Sequence, residues 1–91
     1  IQGGGVLAGG IAATLLDEAM AHAALASLDP GRRTATVEIS TRFLRPAQTG
    51  DELTATARVL KPGRTILVVE AELGNQSKAL VAKASASFIV L

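Results

Sequence analysis

Ile11-Ala12-Ala13-Thr14-Leu15-Leu16-Asp17-Glu18-Ala19-Met20-Ala21-His22-Ala23-Ala24-Leu25-Ala26-Ser27-Leu28 contains neither glycine nor proline and runs into Asp29, Pro30 and Gly31. Alanine and leucine are strong helix formers, and the Asp-Pro-Gly run is a stop signal, so this stretch predicts a helix over 11–28. Its apolar residues, Ile11, Leu15, Leu16, Met20, Ala23, Ala24 and Leu28, leave little polar face. A helix apolar nearly all round is expected to be buried, and its small alanines let another backbone approach closely.

After the helix the pattern changes. From Arg33 onward Val37, Ile39, Thr41 and Phe43 alternate with Thr36, Glu38, Ser40 and Arg42, which predicts a long strand. A loop at 46–50 precedes a second alternating run over 52–60, and Lys61-Pro62-Gly63-Arg64 makes a turn into a third strand over 65–73. Gly74 and Asn75 end that strand, and the run 79–90 supplies a fourth. Short connections between four strands imply an antiparallel meander with the helix covering one face, an α+β architecture.

Composition bounds the function. The 91 residues make a single domain over 1–91 with a formal net charge of +1, two phenylalanines, and no Trp, Tyr or Cys. Without cysteine there is no disulfide framework, thiolate metal site or cysteine nucleophile, and His22 alone cannot build a histidine metal cage. A nucleic-acid module would want a basic stripe interleaved with aromatic rings, so that class is set aside. Residues 1–31 carry −3 from Asp17, Glu18 and Asp29, and residues 32–91 carry +4 from nine basic and five acidic side chains. The charge-free run 1–16 is broken by five glycines and lacks a basic start, so neither a membrane helix nor a signal peptide is expected. A mean hydropathy of +0.37 is high for so short a chain and points to self-association.

Two features carry candidate chemistry. Gly3, Gly4, Gly5, Gly9 and Gly10 lead into the helix, where free N–H groups can hold an oxyanion or phosphate; a tight turn with no ligand is the competing reading. No Walker lysine follows them, which argues against a nucleotide loop. Asp17 is an acid within an apolar helix, suited to act as nucleophile or general base, against the alternative of an exposed or structurally bonded carboxylate. Glu18 points about 100° away around the helix and reads as solvated, and His22 lies off the Asp17 face as a structural or surface histidine. If Gly9 or Gly10 starts the helix, Asp17 lies roughly 10–12 Å along the axis. An oxyanion held at Gly9 is then not readily reached by the same chain's Asp17, and an opposed helix of a second subunit could bring the two together, so any active site is expected to be shared between subunits.

The runs Gly9-Gly10-Ile11-Ala12-Ala13-Thr14-Leu15-Leu16-Asp17-Glu18-Ala19-Met20 and Arg42-Phe43-Leu44-Arg45-Pro46-Ala47, followed by Gly50-Asp51, resemble the hotdog-fold acyl-CoA thioesterases of the phenylacetate-pathway (PaaI-like) group, within the 4-hydroxybenzoyl-CoA thioesterase superfamily. The resemblance extends over nearly the whole chain. It implies a long central helix wrapped by an antiparallel sheet, a homodimer and often a homotetramer, and acyl-CoA hydrolysis without metal or organic cofactor. It assigns Asp17 as nucleophile or base, and Gly9 as the oxyanion donor from the other subunit with Gly10 beside it at the substrate. Gln2 and Thr36 become helpers that position substrate or water. Arg45 and Arg64, among the loop cations Arg32, Arg33, Arg45, Lys61 and Arg64, are the candidates to meet coenzyme A phosphates.

Two departures from the family pattern matter. Ala8 stands where the motif has histidine, which favours a non-catalytic acyl-CoA-binding or assembly domain as the alternative. The chain also begins directly at the glycine-rich segment, so the family's N-terminal segment is expected to be missing. A hotdog dehydratase is a third reading, weakened by the placement of His22. A cytoplasmic location is the default expectation, with no nucleic-acid or membrane partner.

Overall fold

The helix begins ahead of its glycine-free stretch. In the computed structural model, which describes residues 5–46, 50–61 and 63–91 and their side chains from Gly10 onward, α1 spans Gly5–Ala26. Gly9 and Gly10 therefore sit in its second turn and not at its start. Its C-terminal end falls close to the expected stop: the Ser27 hydroxyl donates to the Ala24 carbonyl at 2.7 Å, and Gly31 takes a φ of 87° that favours glycine.

Burial along α1 follows one seam. Ala12, Leu16, Met20 and Ala24, each four residues apart, are completely buried. The expectation of burial nearly all round is corrected by the opposite side, where Ile11, Thr14, Glu18, His22 and Leu25 are exposed. One sheet layer covers one side of a helix, and among the described residues nothing covers the other.

Four strands complete the fold: β1 (Thr34–Phe43), β2 (Thr54–Lys61), β3 (Ile66–Gly74) and β4 (Leu80–Val90). They form one sheet in the order β1-β4-β3-β2, with every neighbouring pair antiparallel. The expected meander holds for β2, β3 and β4 only, because β1 lies at the far edge beside β4. The connection 44–53 is what permits this. A ten-residue segment spans up to roughly 33 Å, against about 14 Å between the outer strands of a four-stranded sheet.

The inner face of the sheet carries Leu67, Val69, Ala71 and Leu73 from β3 and Ala82, Ala84, Ala86 and Phe88 from β4, all buried with the helix seam. Helix α1 lies chiefly over β2 and β3. The inner face of β1 is left more open, with Ile39 42% and Phe43 45% exposed. Simple alternation also fails in β1, where the register slips between Thr36 and Glu38. Thr36 is paired with Phe88 and Ile39 with Ala86, so both belong to the helix side and Val37 is the extra residue. The sequence pattern had placed Thr36 on the opposite side from Ile39.

Candidate active site

Asp17 projects from the middle of α1 beside the buried seam and is itself exposed. A helix step of 100° separates it from Leu16, which is why one neighbour is completely buried and the other meets solvent. Among the described residues its carboxylate has no hydrogen-bond or ion-pair partner, so Asp17 is exposed and not structurally bonded. Gly10 lies two turns before it on nearly the same side and is also exposed. Between them, the Thr14 hydroxyl donates to the Gly10 carbonyl at 3.0 Å.

Gly10 is unusual for a helix position. A Cβ built on it would meet nothing within 4 Å, so nothing among the described residues demands glycine there. Glycine in a helix interior is less stable than alanine by about 1 kcal/mol. The backbone at Gly10 is accessible to a group from outside the chain. Gly9 is the fifth residue of the helix, where the regular ladder directs its N–H at the carbonyl of Gly5.

The remaining predicted site residues are dispersed. Gln2 lies outside the described residues. Thr36 is exposed on the helix side of β1. Arg45 follows β1, its backbone N–H donating to the Val81 carbonyl at 3.1 Å, at the end of the sheet where β4 begins. Arg64 lies in the β2–β3 turn at the other end, beside Thr65, whose carbonyl accepts from Val90 N. From Val81 to Val90 is roughly 30 Å of strand, so Arg45 and Arg64 of one chain cannot grip the same phosphate. Arg32 and Arg33 share the Arg64 end: Arg32 Nε donates to the Leu91 carbonyl at 3.4 Å, and Leu91 N donates to the Arg33 carbonyl at 2.8 Å.

Among the described residues, the side chains of Asp17, Thr36, Arg45 and Arg64 make no hydrogen bond or ion pair. No group of three or more His, Cys, Asp or Glu is placed among them to hold a metal ion. No described helix is long and apolar enough to cross a membrane. The helix packed on a four-stranded antiparallel sheet is the hotdog arrangement, and comparison with known proteins agrees. The thioesterase superfamily profile matches residues 4–82. The chain belongs to the thioesterase superfamily.

This hotdog thioesterase-superfamily domain is 33% identical over 73 residues to mouse acyl-coenzyme A thioesterase 13, covering 80% of this chain and 51% of that protein. The domain thus spans about half the length of the curated relatives it matches. Among solved structures it is similar to the Bacillus halodurans protein BH2602 crystallised with CoA, at a TM-score of 0.84 and 35% identity, over 91% of this chain and 54% of that one. It is likewise similar to a putative thioesterase, a phenylacetic acid degradation-related protein from Ralstonia eutropha JMP134, at a TM-score of 0.81 and 37% identity, over 89% and 60% of the two chains.

One arrangement escaped the sequence. Arg42 and Lys83 are cross-strand partners, as are Ser40 and Ser85, and all four line a cleft of about 270 Å³ on the outer face of the sheet. Only the β1–β4 register brings these residues together. Alternation alone does not reveal that β1 crosses to β4.

Proposed function

We propose that this domain hydrolyses acyl-CoA thioesters to the free acid and coenzyme A at a site shared between two subunits. Asp17 acts as nucleophile on the thioester carbonyl or as general base for water. The backbone N–H of Gly9 from the second subunit receives the oxyanion, with Gly10 admitting the substrate beside it, and Gln2 and Thr36 help position substrate or water. The observation that carries the reading is the pairing of an exposed helix carboxylate with a helix glycine that nothing among the described residues requires. Family membership and the names of the relatives support the chemistry. Donation from Gly9 calls for the first helical turn to open, and Gly5, Gly9 and Gly10 lower the free energy of that opening.

The proposed self-association is supported by the surface. Strand β1 is an edge strand in this chain and exposes Val37, Ile39 and Phe43, an apolar edge that a second copy would cover. A homodimer, or a dimer of dimers, places the two helices' groups within reach of one thioester. Phe88 is held in the core, so Phe43 is the aromatic residue available to an acyl group. The reaction is proposed to run in the cytoplasm and without metal or organic cofactor.

The test is release of free coenzyme A from short, medium, long and aromatic acyl-CoA thioesters by the chain and by Asp17→Asn and Ala8→His. Turnover lost in Asp17→Asn supports the assignment; unchanged turnover overturns it. A fully active monomer overturns the shared site. No turnover in the chain, with activity appearing in Ala8→His, makes the domain a binder of acyl-CoA.

A further inference from the structure

The outer face of the sheet, opposite the helix, holds a second arrangement that the thioesterase reading does not use. Arg42 on β1 and Lys83 on β4 are directly opposed across an antiparallel pair. Like charges in that relation repel. Lys83 is drawn aside to Glu72 on β3, with Nζ 3.7 Å from Oε1, while Arg42 has no ion pair or side-chain hydrogen bond among the described residues. One pair further along the strands and on the same face, Ser40 opposes Ser85.

These four side chains share the 270 Å³ cleft, whose remaining charged wall is Glu70. That carboxylate is already engaged: Arg58 donates to its Oε1 at 2.7 Å from the β2 side. Glu38, the acid on the outer face of β1, lies four residues before Arg42, roughly 13 Å along the strand, and two before Ser40, roughly 7 Å. The opening therefore presents one unpaired cation, Arg42, with Lys83 held loosely by Glu72 at 3.7 Å and two hydroxyls beside them, while Glu70 is compensated by Arg58. Guanidinium, ammonium and hydroxyl donors are the set that binds phosphate oxygens. At about 30 Å³ for each water in the liquid, the cleft has room for a phosphate together with part of the group that bears it.

We infer that this cleft is an anion site for a phosphate group, with Arg42 and Lys83 as the charged partners and Ser40 and Ser85 as hydroxyl donors. It lies on the opposite side of the sheet from Asp17 and is independent of thioester hydrolysis. Phosphate supplies Arg42 with the counter-charge it lacks and competes with Glu72 for Lys83.

The experiment is titration of the chain with inorganic phosphate and, separately, with glycerol 3-phosphate at constant ionic strength, followed by backbone amide NMR. Saturable shifts confined to 40–44 and 83–85, weakened about tenfold in the Arg42→Gln/Lys83→Gln double variant but not in Arg32→Gln/Arg33→Gln, are expected. The double variant must keep the amide pattern of α1 and β3. If it does not, Ser85→Ala with Arg42→Lys gives the same readout with both charges retained, because the hydroxyl and the bidentate fork are lost. Tighter binding of the ester identifies an organic phosphate as the ligand, and equal binding identifies the free ion. Shifts spread over all basic residues without saturation, or unchanged affinity in the variants, overturn the site.

Discussion

Gly10 and Asp17 lie two helical turns apart on one exposed side of α1, about 10 Å along its axis. The pair links stability to function in opposite directions. Replacing Gly10 by Ala adds a methyl group where nothing lies within 4 Å, so it should stabilise the isolated fold by about 1 kcal/mol. The same methyl obstructs whatever approaches the backbone from outside, so coenzyme A release should fall although the melting temperature rises. A variant both more stable and equally active would remove the reason given for glycine at this position.

Asp17 and its neighbour Leu16 separate chemistry from packing. Asp17→Asn changes an exposed side chain and should leave stability within about 0.5 kcal/mol, while thioester turnover drops by about 10²–10⁴-fold. Leu16→Ala empties a completely buried position and should cost about 2–5 kcal/mol. Denaturant midpoints measured beside coenzyme A release distinguish the two. Equal loss of stability in both variants would mean that Asp17 is a structural residue.

The sequence exposed the elements more clearly than their arrangement. Helix and strands announce themselves through local period, and the observed bounds of all four strands fall within about two residues of the expected ones. The crossing of β1 to β4 does not, because the connection 44–53 is long enough to reach either edge and no local signal chooses between them. The bulge between Thr36 and Glu38 likewise becomes visible only once β4 is beside β1. At the site, Asp17 was legible as an acid among apolar residues, but its exposure depends on the sheet covering one side of the helix. Arg45 and Arg64 looked equivalent as loop cations, and the register separates them to opposite ends of the sheet.

Gly63 tests the tight turn between β2 and β3. A Cβ there would run into the carbonyl oxygen of Ile66, a backbone atom with little freedom to move. Gly63→Ala should therefore destabilise the fold by about 1–3 kcal/mol through displacement of the hairpin. The loss should appear as a lower melting temperature and as faster amide exchange at the ends of β2 and β3. Unchanged stability and exchange would show that the turn relaxes without strain.

The β3–β4 turn offers the sharper comparison because two of its residues act in opposite senses. Asn75 Oδ1 accepts from the backbone N–H groups of Ser77 and Ala79, each at 3.0 Å, and the Asn75 carbonyl accepts from Lys78 N at 2.9 Å. This closure holds Lys78 at a φ of 63°, in the left-handed region. A non-glycine residue there is disfavoured by about 1–2 kcal/mol. Glycine removes that strain but gains freedom in the unfolded chain worth about 0.5–1 kcal/mol. Lys78→Gly should therefore be stabilising by a net of up to about 1.5 kcal/mol, and Asn75→Ala destabilising by about 1–3 kcal/mol as two donors lose their acceptor. Because Asn75 sets the strain at Lys78, the two changes should not be additive: in the Asn75→Ala background the gain from Lys78→Gly should shrink. A double-mutant cycle by urea denaturation measures that coupling, and strict additivity would mean that Asn75 does not hold Lys78 in its conformation.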